Sequence, residues 1–243
     1  MKTYGLLGFQ LSHSFSKKFF TDFFTENKLP YQYQLFEFSR IEDFFENIKS
    51  VRGLAGFNVT VPYKEKVIPF LDKLSPEAQA VGAVNCVKFV DGILTGYNTD
   101  IYGFEKILEL LRIKKKHALI LGTGGAAKAV SYVLAKKEIK CQFVSQNPKQ
   151  QDVFSYEDLW NENILSYSLI INTTPLGMYP KTEDFPKIPY QRLTPKHTLI
   201  DLVYNPVKTE FLFRGEQQGT TIINGMIMLE NQALKSWEIW ENS

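Results

Sequence analysis

The chain has 243 residues, 44% of them hydrophobic and 22% charged, with a formal net charge of +2. That length holds one large or two small domains, and a charge so near neutral gives no basis for nucleic-acid binding or attraction to a membrane surface. Cys86 and Cys141 both lie in apolar, strand-like runs and read as buried free thiols of a cytoplasmic protein; no signal-peptide pattern and no bilayer-length apolar run is expected.

Residues 4–8 read as a first strand that ends in glycine. Ser14 is then placed to cap a helix over Phe15–Asn27. The aromatic, β-prone run Tyr31–Phe38 predicts a second strand, and Ile41–Ser50 an amphipathic helix. Gly56–Val61 reads as a third strand, with Pro62 opening a helical turn after it. Ser75–Val81 is a short helix with Pro76 at its first position. Val84–Val90 and Ile93–Tyr97 flank Asp91-Gly92, a strong hairpin signal.

A helix over Tyr102–Leu111 leads into the second half. Lys114, Lys115 and Lys116 read as a solvated turn near its C-terminus rather than a basic patch. A strand over Lys116–Leu121, a glycine turn, a helix over Ala126–Lys137 and a strand over Lys140–Ser145 make a βαβ unit. Leu169–Thr173, Thr198–Leu202 and Thr221–Ile223 supply further strands, and Met226–Trp240 closes the chain as an amphipathic helix. The fold class is α/β. An N-terminal α/β domain over 1–101 is followed by a Rossmann-like dinucleotide-binding domain over 102–224, and a C-terminal helix over 225–243 returns to complete the first.

Gly122-x-Gly124-x-x-Ala127 matches the dinucleotide fingerprint. The first glycine permits a tight turn, the second admits the pyrophosphate to the backbone, and the small third residue lets helix and strand pack. The free N–H groups at the helix start face the phosphates. A purely structural glycine turn is the alternative. After Val144 comes Ser145-Gln146-Asn147-Pro148-Lys149, where an NAD site carries an acid and an NADP site a base. The missing acid disfavours strict NAD use. Lys149 reads either as a partner for a 2′-phosphate or as a surface lysine.

Lys64 follows one strand and Asp100 another, and a facing Lys–Asp pair can move a proton to or from a substrate hydroxyl. Taken singly, Lys64 reads as a solvated lysine and Asp100 as a helix cap. Their company favours chemistry: Asn58, Thr60, Asn85 and Asn98 are short polar groups at strand ends, suited to gripping a polyhydroxylated acid, and Ser14 and Ser16 alternate so as to offer two hydroxyls to a carboxylate. Together with the nucleotide turn this predicts a dehydrogenase. His13, His117 and His197 show no metal-ligand spacing, and His117 reads as a partly buried strand histidine. No metal site is predicted.

Over essentially its whole length, with the motifs in order, the chain resembles the shikimate dehydrogenase family. The resemblance rests on residues 11–16 with the serine pair, 57–64, 82–85, 96–103, 171–178, 201–206 and 224–233. It implies reversible NADPH-dependent reduction of 3-dehydroshikimate to shikimate, on the route to chorismate and the aromatic amino acids, in a cleft between the two domains. By that resemblance Lys64 and Asp100 are the catalytic pair, and Ser14, Ser16, Thr60, Asn85, Tyr204 and Gln232 bind substrate. Gly122, Gly124, Gly125 and Ala126 hold the pyrophosphate, while Thr173–Met178 and Gly225–Met228 line the nicotinamide end. Family members that use NADP usually carry Asn-Arg-Thr where this chain reads Ser145-Gln146-Asn147. Gln146 donates hydrogen bonds without charge, which implies a weaker grip on the 2′-phosphate and leaves NAD open. The stretch from Lys149 to Leu159 is too short and polar for the helix expected there, so the nucleotide domain is trimmed on its adenosine side. The expected partner is a small molecule, with no nucleic acid or membrane, and a monomer or homodimer. An NAD-using quinate/shikimate dehydrogenase and a non-catalytic shikimate-binding relative are the alternatives.

Overall fold

A computed structural model describes residues 1–12, 14–112, 117–148, 150–161 and 164–242. The chain divides into two compact units: Met1–Thr99 with Ala233–Ser243, and Asp100–Gln232.

The first unit contains β1 (Thr3–Gly8), α1 (Phe15–Glu26), β2 (Gln32–Glu37), α2 (Ile41–Asn47), β3 (Gly56–Val59), β4 (Lys73–Leu74), α3 (Pro76–Val81), β5 (Cys86–Val90) and β6 (Ile93–Tyr97). Its sheet runs β2-β1-β3-β5-β6-β4. β1 is parallel to β2 and β3, whereas β5 is antiparallel to β3 and β6. Local chemistry sets the element ends. The Ser14 hydroxyl accepts from Lys17 N to cap α1, and Ser75 caps α3 with Pro76 at its first position. Asp91 and Gly92 take φ of 51° and 81°, the mirror-image turn that suits a two-residue hairpin.

One face of this sheet buries Leu7, Phe36, Phe44, Phe57 and Val87. The other buries Tyr4, Phe20, Phe24 and Tyr33 together with Ala233 and Trp240 from the last helix. The Trp240 indole donates to Val87 O at 3.0 Å and lies over Gly56, where a Cβ would stand 2.5 Å from the ring. A large aromatic ring can approach the backbone so closely only because residue 56 has no side chain.

The second unit contains α4 (Asp100–Leu111), β7 (His117–Leu121), α5 (Gly125–Lys136), β8 (Lys140–Ser145), β9 (Phe154–Ser155), α6 (Asp158–Asn161), β10 (Leu169–Asn172), β11 (Thr198–Asp201), α7 (Glu210–Glu216) and β12 (Thr221–Ile223), and its last residues form the start of α8 (Met226–Glu241). Its sheet runs β12-β11-β10-β7-β8-β9, with every paired register parallel. Strand order reverses between β7 and β10, the doubly wound pattern whose ligand crevice lies at that switch point. β10 and β11 are buried along their whole length, as expected for parallel strands covered on both faces.

Several expectations need correction. β3 stops at Val59, and Pro62 opens no helix: turns follow, with one α-turn from Tyr63 to Val67 N, before a 3-10 turn over Ile68–Phe70. α4 begins at Asp100 rather than Tyr102. His117 is exposed at the start of β7 rather than partly buried. Cys141 is half-buried, not buried, because the middle of β8 is incompletely covered and only the two-residue β9 pairs beyond it. Cys86 is buried, and burial pushes its thiol up to about 12. Lys114–Lys116, Lys149 and His13 lie outside the described residues. No helix among the described residues is long and apolar enough to cross a membrane.

Candidate active site

In the first unit, topology gathers polar side chains at one end of the sheet. The parallel strands β1 and β3 end together, so Gly8 and Thr60 touch: a Cβ on Gly8 would lie 2.6 Å from the Thr60 methyl. Antiparallel β5 begins at that same end, with Cys86 opposite Asn58. Ser14 and Ser16 follow β1, and Asn85, Asn98 and Thr99 flank β5 and β6. The Lys64 carbonyl accepts from Val84 N at 2.7 Å, which places residue 64 beside Asn85. Ser16, Thr60, Lys64 and Asn85 thus lie at one end of the first sheet, with Ser14 on the segment that follows β1.

A neutral hydrogen-bond network underlies this end. Ser16 bonds to the Tyr33 hydroxyl, which donates to Asn58 Oδ1 at 2.8 Å. The Asn58 amide donates to Ser236 Oγ at 2.8 Å and to Asn85 O at 3.2 Å. Asn85 Oδ1 accepts from Thr99 N at 2.6 Å, its Nδ2 donates to Thr99 Oγ1 at 3.0 Å, and Thr99 and Ser236 share a hydroxyl contact at 3.2 Å. Asn58, Asn85, Thr99 and Ser236 are all buried, so each bond holds its partner's orientation. Burial pushes the Tyr33 hydroxyl well above its ordinary range, keeping it a neutral donor. Tyr33, Thr99 and Ser236 escaped the sequence reading because nothing in the spacing of residues 33, 58, 99 and 236 shows that they meet.

In the second unit the strand ends at the switch point carry the nucleotide features. β7 stops at Leu121, and Gly122 turns the chain with φ of 113°, a conformation open to glycine. A Cβ there would lie 2.6 Å from Thr173 Oγ1. Thr173, just past β10, donates from N and Oγ1 to Leu121 O at 2.9 and 2.7 Å, so the two strand-end loops are locked side by side. Gly124 is the N-cap of the twelve-residue α5, with no side chain to satisfy its first N–H groups. A Cβ built on Gly124 meets nothing within 4 Å. The protein interior therefore does not require a glycine there, and the helix N-terminus is left open. Gly125 and Ala126 form the first turn, and Ala127 is fully buried where helix and strand pack. These residues fit a dinucleotide pyrophosphate.

Met178 is exposed, Tyr204 is half-buried after β11, and Gly225 supports the turn into α8: a Cβ on it would collide with the Leu202 carbonyl. Gln232 lies on α8 and donates to Leu229 O at 2.9 Å. Asp100 is buried in the first turn of α4. Gln146 is exposed just beyond β8, beside a Ser145 hydroxyl that accepts from Asn147 N at 3.3 Å.

Comparison with known proteins decides the family. Residues 6–87 match the family model of the shikimate dehydrogenase substrate binding domain. The shikimate dehydrogenase (NADP+) of Clostridium beijerinckii is 39% identical over 99% of this chain and 92% of its own length. The chain belongs to the shikimate dehydrogenase family. Among solved structures, shikimate dehydrogenase 1 of Peptoclostridium difficile superposes with a TM-score of 0.90 at 36% identity, covering 99% of this chain and 92% of the other. The Thermus thermophilus shikimate 5-dehydrogenase, solved with NADP(H) and shikimate, gives 0.86 at 29% identity, covering 99% and 94%. The family model lies within the first unit, and the full-length relatives cover both.

Proposed function

We propose that this chain is an oxidoreductase that interconverts 3-dehydroshikimate and shikimate with NADP(H), a step of aromatic amino acid biosynthesis. The observation that carries this reading is the full-length identity of 39% to a curated shikimate dehydrogenase (NADP+). The Gly122–Ala127 turn would hold NADPH, which would supply the hydride. The chain's own residues do the rest. Ser14 and Ser16 take the substrate carboxylate, and Thr60, Asn85, Tyr204 and Gln232 its hydroxyls. Lys64 gives its proton to the oxygen of the reacting carbonyl as that oxygen gains charge, and its ammonium stabilises the charge before transfer. Asp100 is the carboxylate assigned to orient the Lys64 ammonium. In the reverse direction Lys64 receives the hydroxyl proton.

Initial rates of NADP reduction with shikimate test this directly. Lys64→Ala is expected to lower kcat by roughly 10² to 10⁴ while the shikimate KM moves little. Turnover close to that of the unaltered protein would remove Lys64 from the chemistry, and no turnover by the folded unaltered protein would remove the reaction itself.

A further inference from the structure

We propose that Asp201 is a positioning residue that ties the loops after β10 and β11 into one frame around the cofactor end of the second unit. The inference rests on the NADP reading above. Asp201 ends β11 in register with Asn172 at the end of β10, and both side chains are completely buried. Its carboxylate accepts from three separate segments. Asn172 Nδ2 donates to Oδ1 at 2.9 Å, Val203 N donates to Oδ1 at 3.0 Å, and the Thr209 hydroxyl donates to Oδ2 at 2.5 Å. Thr209 in turn caps α7, accepting from Leu212 N.

The links continue outward. Asn172 Oδ1, its amide turned by the bond to Asp201, accepts from Thr174 N at 3.1 Å and Thr174 Oγ1 at 2.6 Å, and Thr174 Oγ1 accepts from Leu176 N. Tyr179 N donates to Asn205 O, joining the two loops a second time. Asp201 thus stands at the root of loop 173–178, of loop 203–209 and of the α7 N-terminus.

All three hydrogen-bond donors to the carboxylate are neutral, so its burial is not offset by a bonded cation. Volume alone would be met by leucine. Bonding all three segments at once needs a polar atom at both branches of the fork, with Oδ1 the acceptor for Asn172 and Val203. A geometry held this way keeps the cofactor end ordered before ligand arrives.

The test compares Asp201→Ala with the conservative Asp201→Asn, whose Oδ1 can still receive Asn172 and Val203. NADP affinity is read by calorimetry, and backbone order by amide hydrogen exchange over 173–178 and 203–209. Asp201→Ala is expected to weaken NADP at least tenfold and to speed exchange at the Thr174 and Leu176 amides. Asp201→Asn should stay within about threefold of the unaltered protein in both. If Asp201→Ala does not fold, Thr209→Val against Thr209→Ser decides, with weakening and faster exchange in the first and recovery in the second. A folded Asp201→Ala, or Thr209→Val, with NADP affinity and exchange unchanged overturns the proposal. Equal losses in the alanine and asparagine variants overturn it too. Should the unaltered protein bind NADP without turning over shikimate, the catalytic reading fails and both readouts still judge Asp201. Should it not bind NADP, the cofactor reading fails and exchange alone judges the frame.

Discussion

The site ends of the two sheets solve different problems with different chemistry. The first presents side chains on a mixed sheet and holds them with a buried, uncharged network of Tyr33, Asn58, Asn85, Thr99 and Ser236. The second presents backbone on a parallel sheet, shaped by Gly122, Gly124 and Gly225 and braced by the buried Asp201 carboxylate. Under the proposed function the first end takes a small polar acid, which fixed donors and acceptors distinguish, so rigidity of side chains matters there. Under the same proposal the second end takes a pyrophosphate, which N–H groups hold, so absence of side chains matters there. Neutral amides and hydroxyls can be buried at modest cost when every partner is satisfied, whereas a buried carboxylate carries a standing penalty that varies with pH.

The sharpest way to break the contrast is Asn58→Ala. It strips partners from Tyr33 and Ser236 in a buried site, and is expected to destabilise the first unit by about 3 kcal/mol, read from chemical denaturation, with the second unit's NADP affinity unchanged. A loss below 1 kcal/mol would mean that the network is dispensable.

The next effect separates the units by pH. Burial lifts the Asp201 carboxyl from the ordinary 3.8 to about 6, against the pull of its hydrogen bonds. A folded value above the unfolded one means that the native state holds the proton more tightly between those limits. Its contribution is therefore fully present below pH 3.8 and is lost as pH rises through about 6. Relative to Asp201→Asn, which does not titrate there, the unaltered protein should gain up to ~3 kcal/mol as pH falls from 7 to 4. A flat difference across that range would deny the shift.

Gly124→Ala sharpens the second end. Its new Cβ meets no protein atom, so stability should fall by no more than about 1 kcal/mol while NADP binding weakens about tenfold. Unchanged NADP affinity would leave the glycine without a ligand role. The smallest expected effect is at Gln146, exposed beyond β8. Gln146→Arg should tighten NADP by about three- to tenfold and leave NAD alone, because the added guanidinium meets only a 2′-phosphate. No gain would show that another group holds that phosphate.

Much of the architecture was legible in the chain. The cap at Ser14, the Ser75-Pro76 helix start and the Asp91-Gly92 hairpin each carry their geometry in a few adjacent residues, and β8 and β12 fall where apolar runs predict them. The glycine turn was readable because a strand and a helix flank it in sequence. What local pattern misjudged was burial: His117 and Cys141 sit in strand-like runs yet are exposed and half-buried, since cover comes from elements far along the chain. β4, two residues pairing with β6, has no periodicity to detect.

The sequence by itself determined the α/β class, the order of elements and the glycine turn between β7 and α5, because those depend on short-range sterics, capping and the recurrence of motifs. Only the tertiary structure decided that Ser236 and Thr99 complete a network around Asn58, and that Asp201 reaches Asn172, Val203 and Thr209 together. Hydrogen bonds between segments up to 178 residues apart depend on strand order and register, and one residue's chemistry cannot announce which distant partner the sheet will set beside it.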